Sequence, residues 1–433
     1  MMRIIRLPLA LSTTSLCLLA AAPAFADEGF WEGGGVNAKI RGIHFDRDYE
    51  NDSKNREQSA MGLELGYSSG YLGNLIGFDV TGYHVQELAS SGAMSNDILT
   101  RTNSGELDDA FSKIGQAYLK LNVADRVSAK IGRQVVKTML LSSSGTRAIP
   151  SSYNGVSING KLADFELYGV RVDQWSSRHD DHFEGFRTDI TETGAIDYIS
   201  VFGAKYQHGN FTAELEQLNS KNYLQKRGLR LGYQLPLGDS NLELSGGYFT
   251  SDDDGELFAV NAEKGEMDYV DGVEPENHAR AAYVDAEWKR GNLTLGGAFT
   301  AIRDDVWLED NFSGDHGRNP FPTRSVIAPD LTGKNEDIWQ LRTAYNWTDL
   351  VPGLTTKLSY TYGEGAENTV DKSLGIADEW YTELDVKWSL PNVKGLSLRW
   401  IAHDYHSDET GTVAQVKEDE FDNRFYMDYV YKF

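Results

Sequence analysis

Basic side chains recur at alternate positions in several stretches of this 433-residue chain, and that spacing decides what they can do. In an extended strand successive side chains point to opposite faces. Asn37, Lys39, Arg41 and Arg47 therefore share one face, against Val36, Ala38 and Ile40 on the other. Arg399 falls with Ser397, His403 and Tyr405, opposite Leu398, Trp400 and Ala402. Arg424 falls with Tyr426, Asp428 and Lys432, opposite Phe425, Met427, Tyr429, Tyr431 and Phe433. A guanidinium meets a carboxylate through two parallel N–H···O bonds, so cations stacked on one wall give an anion a series of weak contacts. The competing use is ion pairing within the wall, to acids such as Asp428 or Glu383.

Other chemistries find less support. Ser, His and Asp are plentiful, yet no Gly-x-Ser-x-Gly elbow occurs and no pair is placed for nucleophilic catalysis. No catalytic residue and no cofactor is expected. Asp252-Asp253-Asp254-Gly255-Glu256 has the oxygen density for calcium but not the loop spacing. Arg178-His179-Asp180-Asp181-His182 reads as an exposed loop tip rather than a metal site.

The elements that must position the cations are strands. Eighteen alternating segments run along the chain: 36–46, 58–68, 74–85, 115–123, 127–135, 154–161, 164–174, 196–207, 210–218, 227–235, 240–250, 281–290, 292–302, 336–346, 354–362, 379–389, 395–405 and 422–433. In 127–135 Arg133 falls in phase with apolar Ile131, and a bulge there would turn it to the polar side. One face of each segment is apolar or aromatic and the other mostly polar, which suits strands with lipid outside and water inside. The connectors alternate between short turns rich in Gly, Pro, Asn and Asp and long loops, which predicts a closed antiparallel transmembrane β-barrel with both termini on the short-turn, periplasmic side. Closure pairs the last strand with the first, so Lys39, Arg41, Arg399 and Arg424 are expected on one wall of the lumen. Trp288, Trp339, Tyr345, Trp388 and similar rings near strand ends are expected to form interfacial girdles.

Composition fits that reading. Residues 1–26 carry Arg3 and Arg6, an apolar run and Ala24-Phe25-Ala26, a secretory signal peptide cut after Ala26, leaving 27–433 as the barrel domain. Cys17, the only cysteine, lies inside it. The net charge of −24 argues against nucleic acid. It leaves the long loops either simply solvated or bridged by divalent cations to lipopolysaccharide. A terminal aromatic, Phe433, is expected to address the chain to the barrel-assembly machinery. Among the long loops, 136–153 holds Ser142-Ser143-Ser144-Gly145-Thr146-Arg147 and few charges, so it is expected to fold into the lumen and bring Arg147 to a constriction.

The chain resembles the OprD-like substrate-specific outer-membrane porins, a family that includes some chitoporins. The resemblance is carried by Arg41-Gly42-Ile43-His44-Phe45-Asp46-Arg47-Asp48, by Arg147-Ala148-Ile149-Pro150-Ser151-Ser152-Tyr153-Asn154-Gly155, and by Ser397-Leu398-Arg399-Trp400 with Asn423-Arg424. It implies a monomeric or weakly trimeric eighteen-stranded channel in the outer membrane of a Gram-negative bacterium, taking up small carboxylate-bearing solutes. It also implies that Arg41, Arg47, Arg399 and Arg424 match a basic ladder and that Arg147 and Tyr153 match the constricting loop. Two other readings stay open. A chitooligosaccharide channel would need lumen aromatics, for which Tyr118, Tyr381 and Tyr426 are candidates; an outer-membrane lipid hydrolase would need a serine and a histidine in contact.

Overall fold

A computed structural model describes residues 28–432 except 52–53, 92–97, 100–108, 189–193, 259–275, 313, 315–316, 318, 328, 368–374 and 409–417. The expected signal peptide, Cys17 and Phe433 lie outside the described residues.

Seven strands come first: β1 (Gly35–Tyr49), β2 (Arg56–Ser68), β3 (Ile76–Ser91), β4 (Ala110–Val123), β5 (Val127–Gln134), β6 (Ser152–Leu162) and β7 (Phe165–Ser176). Two short strands, β8 (Glu184–Arg187) and β9 (Ala195–Ile196), sit in the following loop, and β7 pairs directly with β10 (Ile199–His208). Ten more complete the wall: β11 (Phe211–Ser220), β12 (Leu224–Leu237), β13 (Ser240–Asp253), β14 (His278–Arg290), β15 (Leu293–Arg303), β16 (Asp337–Asn346), β17 (Leu354–Glu367), β18 (Ile376–Ser389), β19 (Leu396–Ser407) and β20 (Glu420–Lys432). Every neighbouring pair is antiparallel, and β20 pairs with β1 from Asn37↔Lys432 to Tyr49↔Glu420, closing an eighteen-stranded barrel. Closure leaves no unpaired edge, which a lipid-embedded sheet requires.

All eighteen expected segments are strands, most of them longer at the loop end than their alternation suggested. The short connectors turn through left-handed backbone at Ala124 and Asp125, Ala163, Gly209, Gly238 and Gly291, as hairpins demand. The outward face is apolar: Leu341 is 71% exposed and Phe202 69%, and a patch of such residues around the wall has no explanation except lipid. Among the described residues no helix is long and apolar enough to cross a membrane.

Inside, the barrel is not empty. Residues from the long loops join inward-facing wall residues in two apolar clusters, one containing Leu140, Leu141, Phe312 and Phe321, the other Ala148, Ile149, Ile98, Leu99 and Ile327. Burial of these side chains at roughly 25 cal/mol per Å² is what draws the loops into the lumen.

Candidate functional site

Loop 136–151 leaves β5 with Val136, Leu140 and Leu141, which the lumen wall buries. Two charged posts of opposite sign fix it. On β11 the buried carboxylate of Glu216 accepts from the Met139 and Leu140 amides at 2.9 and 2.7 Å and from the Thr138 hydroxyl at 2.9 Å. Across the lumen, Arg41 donates through Nη1 to the carbonyls of Gly145 at 2.7 Å and Arg147 at 2.9 Å. Its other donors, Nε and Nη2, hold the two oxygens of Asp428 at 2.6 and 2.9 Å. Tyr426 donates to the Thr146 carbonyl at 3.2 Å. The loop lies so close to the wall that a Cβ added at Gly62 would stand 2.4 Å from the Ala148 carbonyl. The inward fold of this loop is thus as expected.

The second inward loop, 303–335, was not singled out by its sequence. Buried Lys226 on β12 donates to the carbonyls of Leu308, Glu309 and Asp310 at 2.7, 3.1 and 3.1 Å. On β18, Glu383 accepts from the Val326 amide at 2.8 Å and the Ser325 hydroxyl at 3.1 Å, and Tyr381 donates to the Thr323 carbonyl at 2.5 Å. The two loops touch where the Asn311 amide donates to the Leu140 carbonyl at 3.2 Å.

Between them runs a cavity of about 660 Å³. Its basic lining comprises Arg47, Arg147, Arg178, Arg324, Lys357, Arg399 and Arg424; its acidic lining comprises Glu309, Asp310 and Asp330. A second cavity of about 420 Å³, against Arg230, Ser245 and Tyr283, shares Ser142, Phe321, Pro322 and Arg324 with the first. Those four residues mark where the loops approach one another. Burial, and after it the neighbouring Asp330, raises the Glu309 carboxyl well above the usual range; burial also raises Asp330. Burial thus favours the protonated form of this pair and lessens the negative charge it presents to the cavity.

The expected site residues separate into three groups. Lys39, Arg41, Arg47, Arg399 and Arg424 all lie on the closing wall, and each has an acid. Lys39 meets Glu64 at 3.1 Å, Arg47 meets Glu420 at 2.6 Å and Asp422 at 3.1 Å, Arg399 meets Asp385 at 2.7 Å, and Arg424 meets Asp422 at 2.5 Å. Arg147 lines the main cavity with its guanidinium 4.7 Å over the Phe45 ring, and Arg424 lies 4.4 Å over the same ring. Tyr153 is buried in the apolar cluster, 6.2 Å from Phe186, where it seats the end of the loop and does not line the cavity.

Arg133 requires a correction. No bulge occurs in β5: its register runs unbroken from Val127↔Val123 to Arg133↔Ala117, with Ile131 opposite Leu119. Arg133 therefore keeps the outward parity and lies 4.4 Å over Phe183, away from the lumen. The bulges fall instead in neighbouring pairs, at Thr81/Gly82 and Asn154/Gly155.

Residues that the sequence reading missed are Arg178, Arg324 and Lys357. Arg178 donates to the hydroxyls of Ser144 at 2.6 Å and of Thr146. The signal for Lys357 was present, since it alternates with Thr355 and Ser359 on β17. Arg324 had none, because nothing local distinguishes an inward long loop carrying charges from an outward one. Of the three lumen aromatics, Tyr381 is fully buried and Tyr426 nearly so, which leaves Tyr118 beside open space. Asp180, Asp181 and His182 do bring ligand atoms within 4.8 Å of one another, at a partly exposed tip where His182 already meets Asp180 at 2.7 Å.

Residues 28–433 match a family model described as outer membrane porin, OprD family. Porin D of Pseudomonas aeruginosa is 24% identical over 444 residues, covering 95% of this chain and 94% of its own. Among solved structures, P. aeruginosa OccK9 (OpdG) superposes with a TM-score of 0.80 at 24% identity, covering 94% of this chain and all (100%) of that one. Acinetobacter baumannii OccAB2 gives 0.81 at 21% identity, and P. aeruginosa OpdK, solved with vanillate, 0.79 at 21%; both comparisons cover 94% of this chain and 100% of the other.

Proposed function

Because the chain belongs to the OprD family of outer membrane porins, we propose that it passes small anionic, carboxylate-bearing nutrients by passive diffusion, with selectivity set at the constriction between its two inward loops. The observation that carries this reading is the charge of the main cavity: seven basic side chains line it against three acidic ones, and burial pushes the carboxyls of two of those, Glu309 and Asp330, toward their neutral form. A positive lining in a narrow, low-dielectric passage raises the local concentration of anions and lowers the barrier to their passage. The paired arginines of the closing wall contribute less than their number suggests, because each stands beside an acid. Arg147 and Arg324, contributed by the two inward loops, and Lys357, on β17, bring further positive charge to the same lining. Vanillate, the compound solved with OpdK, bears a carboxylate, which is in keeping with this solute class.

The test is the zero-current potential of the full-length channel in a planar bilayer across a potassium chloride gradient. Anion selectivity is expected, and Arg147→Gln with Arg324→Gln is expected to shift the potential toward the cation limit. A cation-selective wild type would overturn the proposal.

A chitooligosaccharide channel receives less support, since two of its three aromatic candidates hold loops in place instead of lining open space. For a hydrolase, Ser325 Oγ does lie 3.4 Å from His403 Nδ1, but Glu383 approaches that same nitrogen at 3.5 Å. A relay needs the serine and the acid on opposite ring nitrogens, and His403 Nε2 is buried without a partner. We therefore assign the protein no enzymatic step. One chain closes its own lumen, which supports a single copy as the working unit.

A further inference from the structure

Further round the wall from the closing seam, residues of β3–β7 and β10 line another cavity of about 450 Å³ between the short turns and the root of loop 136–151. It shares Thr138 with the cavity beneath the constriction, which itself shares four residues with the main passage, so the three spaces follow one another.

Its chemistry differs from that of the seam. Two tyrosine rings stand in it, each fixed by its hydroxyl: Tyr118 donates to Asp79 at 2.6 Å, and Tyr168 donates to Glu214 at 3.0 Å and Glu216 at 2.5 Å. Lys130 lies 4.8 Å over the Tyr118 ring and Lys205 lies 5.2 Å over the Tyr168 ring. Lys120 is committed to Asp79 at 2.8 Å, and Lys205 has Glu214 at 3.5 Å. Among the described residues, neither Lys130 nor Lys137 has an acid within ion-pair distance. They differ in this from the seam cations, each of which is paired. An ammonium poised over a ring and lacking a counter-ion is set to receive one from solution.

We propose that Lys130 and Lys137 form a second anion station on the periplasmic side of the constriction, which takes the carboxylate of a small, hydroxyl-rich acid of the sugar-acid type. A hydroxylated rather than a flat aromatic acid is favoured because ammonium groups already cover the ring faces of Tyr118 and Tyr168. What remains for the body of the solute is polar: the Ser128 hydroxyl lies in the lining beside Lys130, and the Asn159 carboxamide, which donates to Glu166 at 2.6 Å, keeps its oxygen as an acceptor for a solute hydroxyl. The station rests on the anion-channel reading above and extends it, so that a solute is held once at the arginine-lined passage and again before release.

The test uses full-length protein in planar bilayers, with gluconate, benzoate or glucose added on the short-turn side, and reads the concentration that halves the chloride current. Gluconate is expected to block best and glucose not at all. Lys130→Gln with Lys137→Gln is expected to weaken the gluconate block about tenfold, the effect of losing one charge-assisted contact, while Lys130→Arg with Lys137→Arg restores it. Unchanged gluconate block in the glutamine variant, in a channel that is still anion-selective, would overturn the station and leave the channel reading intact. Equal block by benzoate and gluconate would overturn the assigned solute class. A cation-selective wild type would instead remove the reading on which the station rests.

Discussion

Loop 136–151 brings few charges into the barrel and is gripped by charges of the wall, Arg41 on one side and Glu216 on the other, both of which bind its backbone. Loop 303–335 is gripped by Lys226 and Glu383 in a similar manner, but it also carries its own acids inside. Glu309 sits buried with Asp330, and Glu336 at the loop's end sits buried beside Glu379. Backbone acceptors and donors do not titrate, whereas buried carboxyl pairs do. The first loop carries no acid of its own into the lumen, whereas the second brings in a buried carboxyl pair on which protons can act from within the loop.

The largest effect should come from Lys226→Ala. It leaves three carbonyls of loop 303–335 without their buried donor, at a cost of about 3 kcal/mol or more to the loop's inward state. Single-channel conductance should rise severalfold, and an unchanged conductance would show that the loop is held by apolar burial alone. Next in size is Glu216→Gln, which turns an acceptor of two amides into a group that accepts less and also donates. A loss of about 2 kcal/mol from loop 136–151 is expected, read as larger current fluctuations and faster proteolysis of that loop. Gly62→Ala follows, at about 1–3 kcal/mol, because the methyl group would collide with the Ala148 carbonyl and push the loop off the seam. Its signature is weakened anion selectivity without a change in barrel melting.

The smallest effect separates the loops most sharply. For Glu309 the folded-state pKa lies above the unfolded one, so the stability of its protonated pair is complete below the ordinary carboxylate range and is lost as pH rises through the elevated value. Current noise from loop 303–335 should therefore grow between acidic and alkaline pH, and Glu309→Gln should flatten that dependence. Noise that follows pH equally in Glu309→Gln and wild type would assign it to another group.

The same contrast explains what could be read from sequence. Strands were legible because a lipid-facing side chain has one acceptable chemistry, so Phe425, Met427, Tyr429 and Tyr431 announce their face. Loop 136–151 was legible because small uncharged residues at 142–146 are out of place in a solvated acidic loop. Loop 303–335 has acids of its own, and only the wall residues that accept it, Lys226, Glu383 and Tyr381 on other strands, show where it goes. Arg133 was misplaced because an apparent break in alternation has two remedies, a bulge or an outward arginine near the strand end, and local sequence does not choose between them. The pairing of the seam cations was not legible, because it depends on diagonal neighbours such as Arg399 and Asp385, which alternation alone does not give.

The bond between Arg41 and Asp428 joins residues 387 positions apart. Contacts of such separation form late, since nearly the whole chain must be in place before they can. The wall that carries the paired arginines is thus assembled only when the last strand docks on the first, and Arg41 then reaches the backbone of loop 136–151. Completion of the cylinder and seating of its inner gate become one event, so a half-built or truncated chain would lack both the seam and the filter, and would not persist as an open, unselective hole in the membrane.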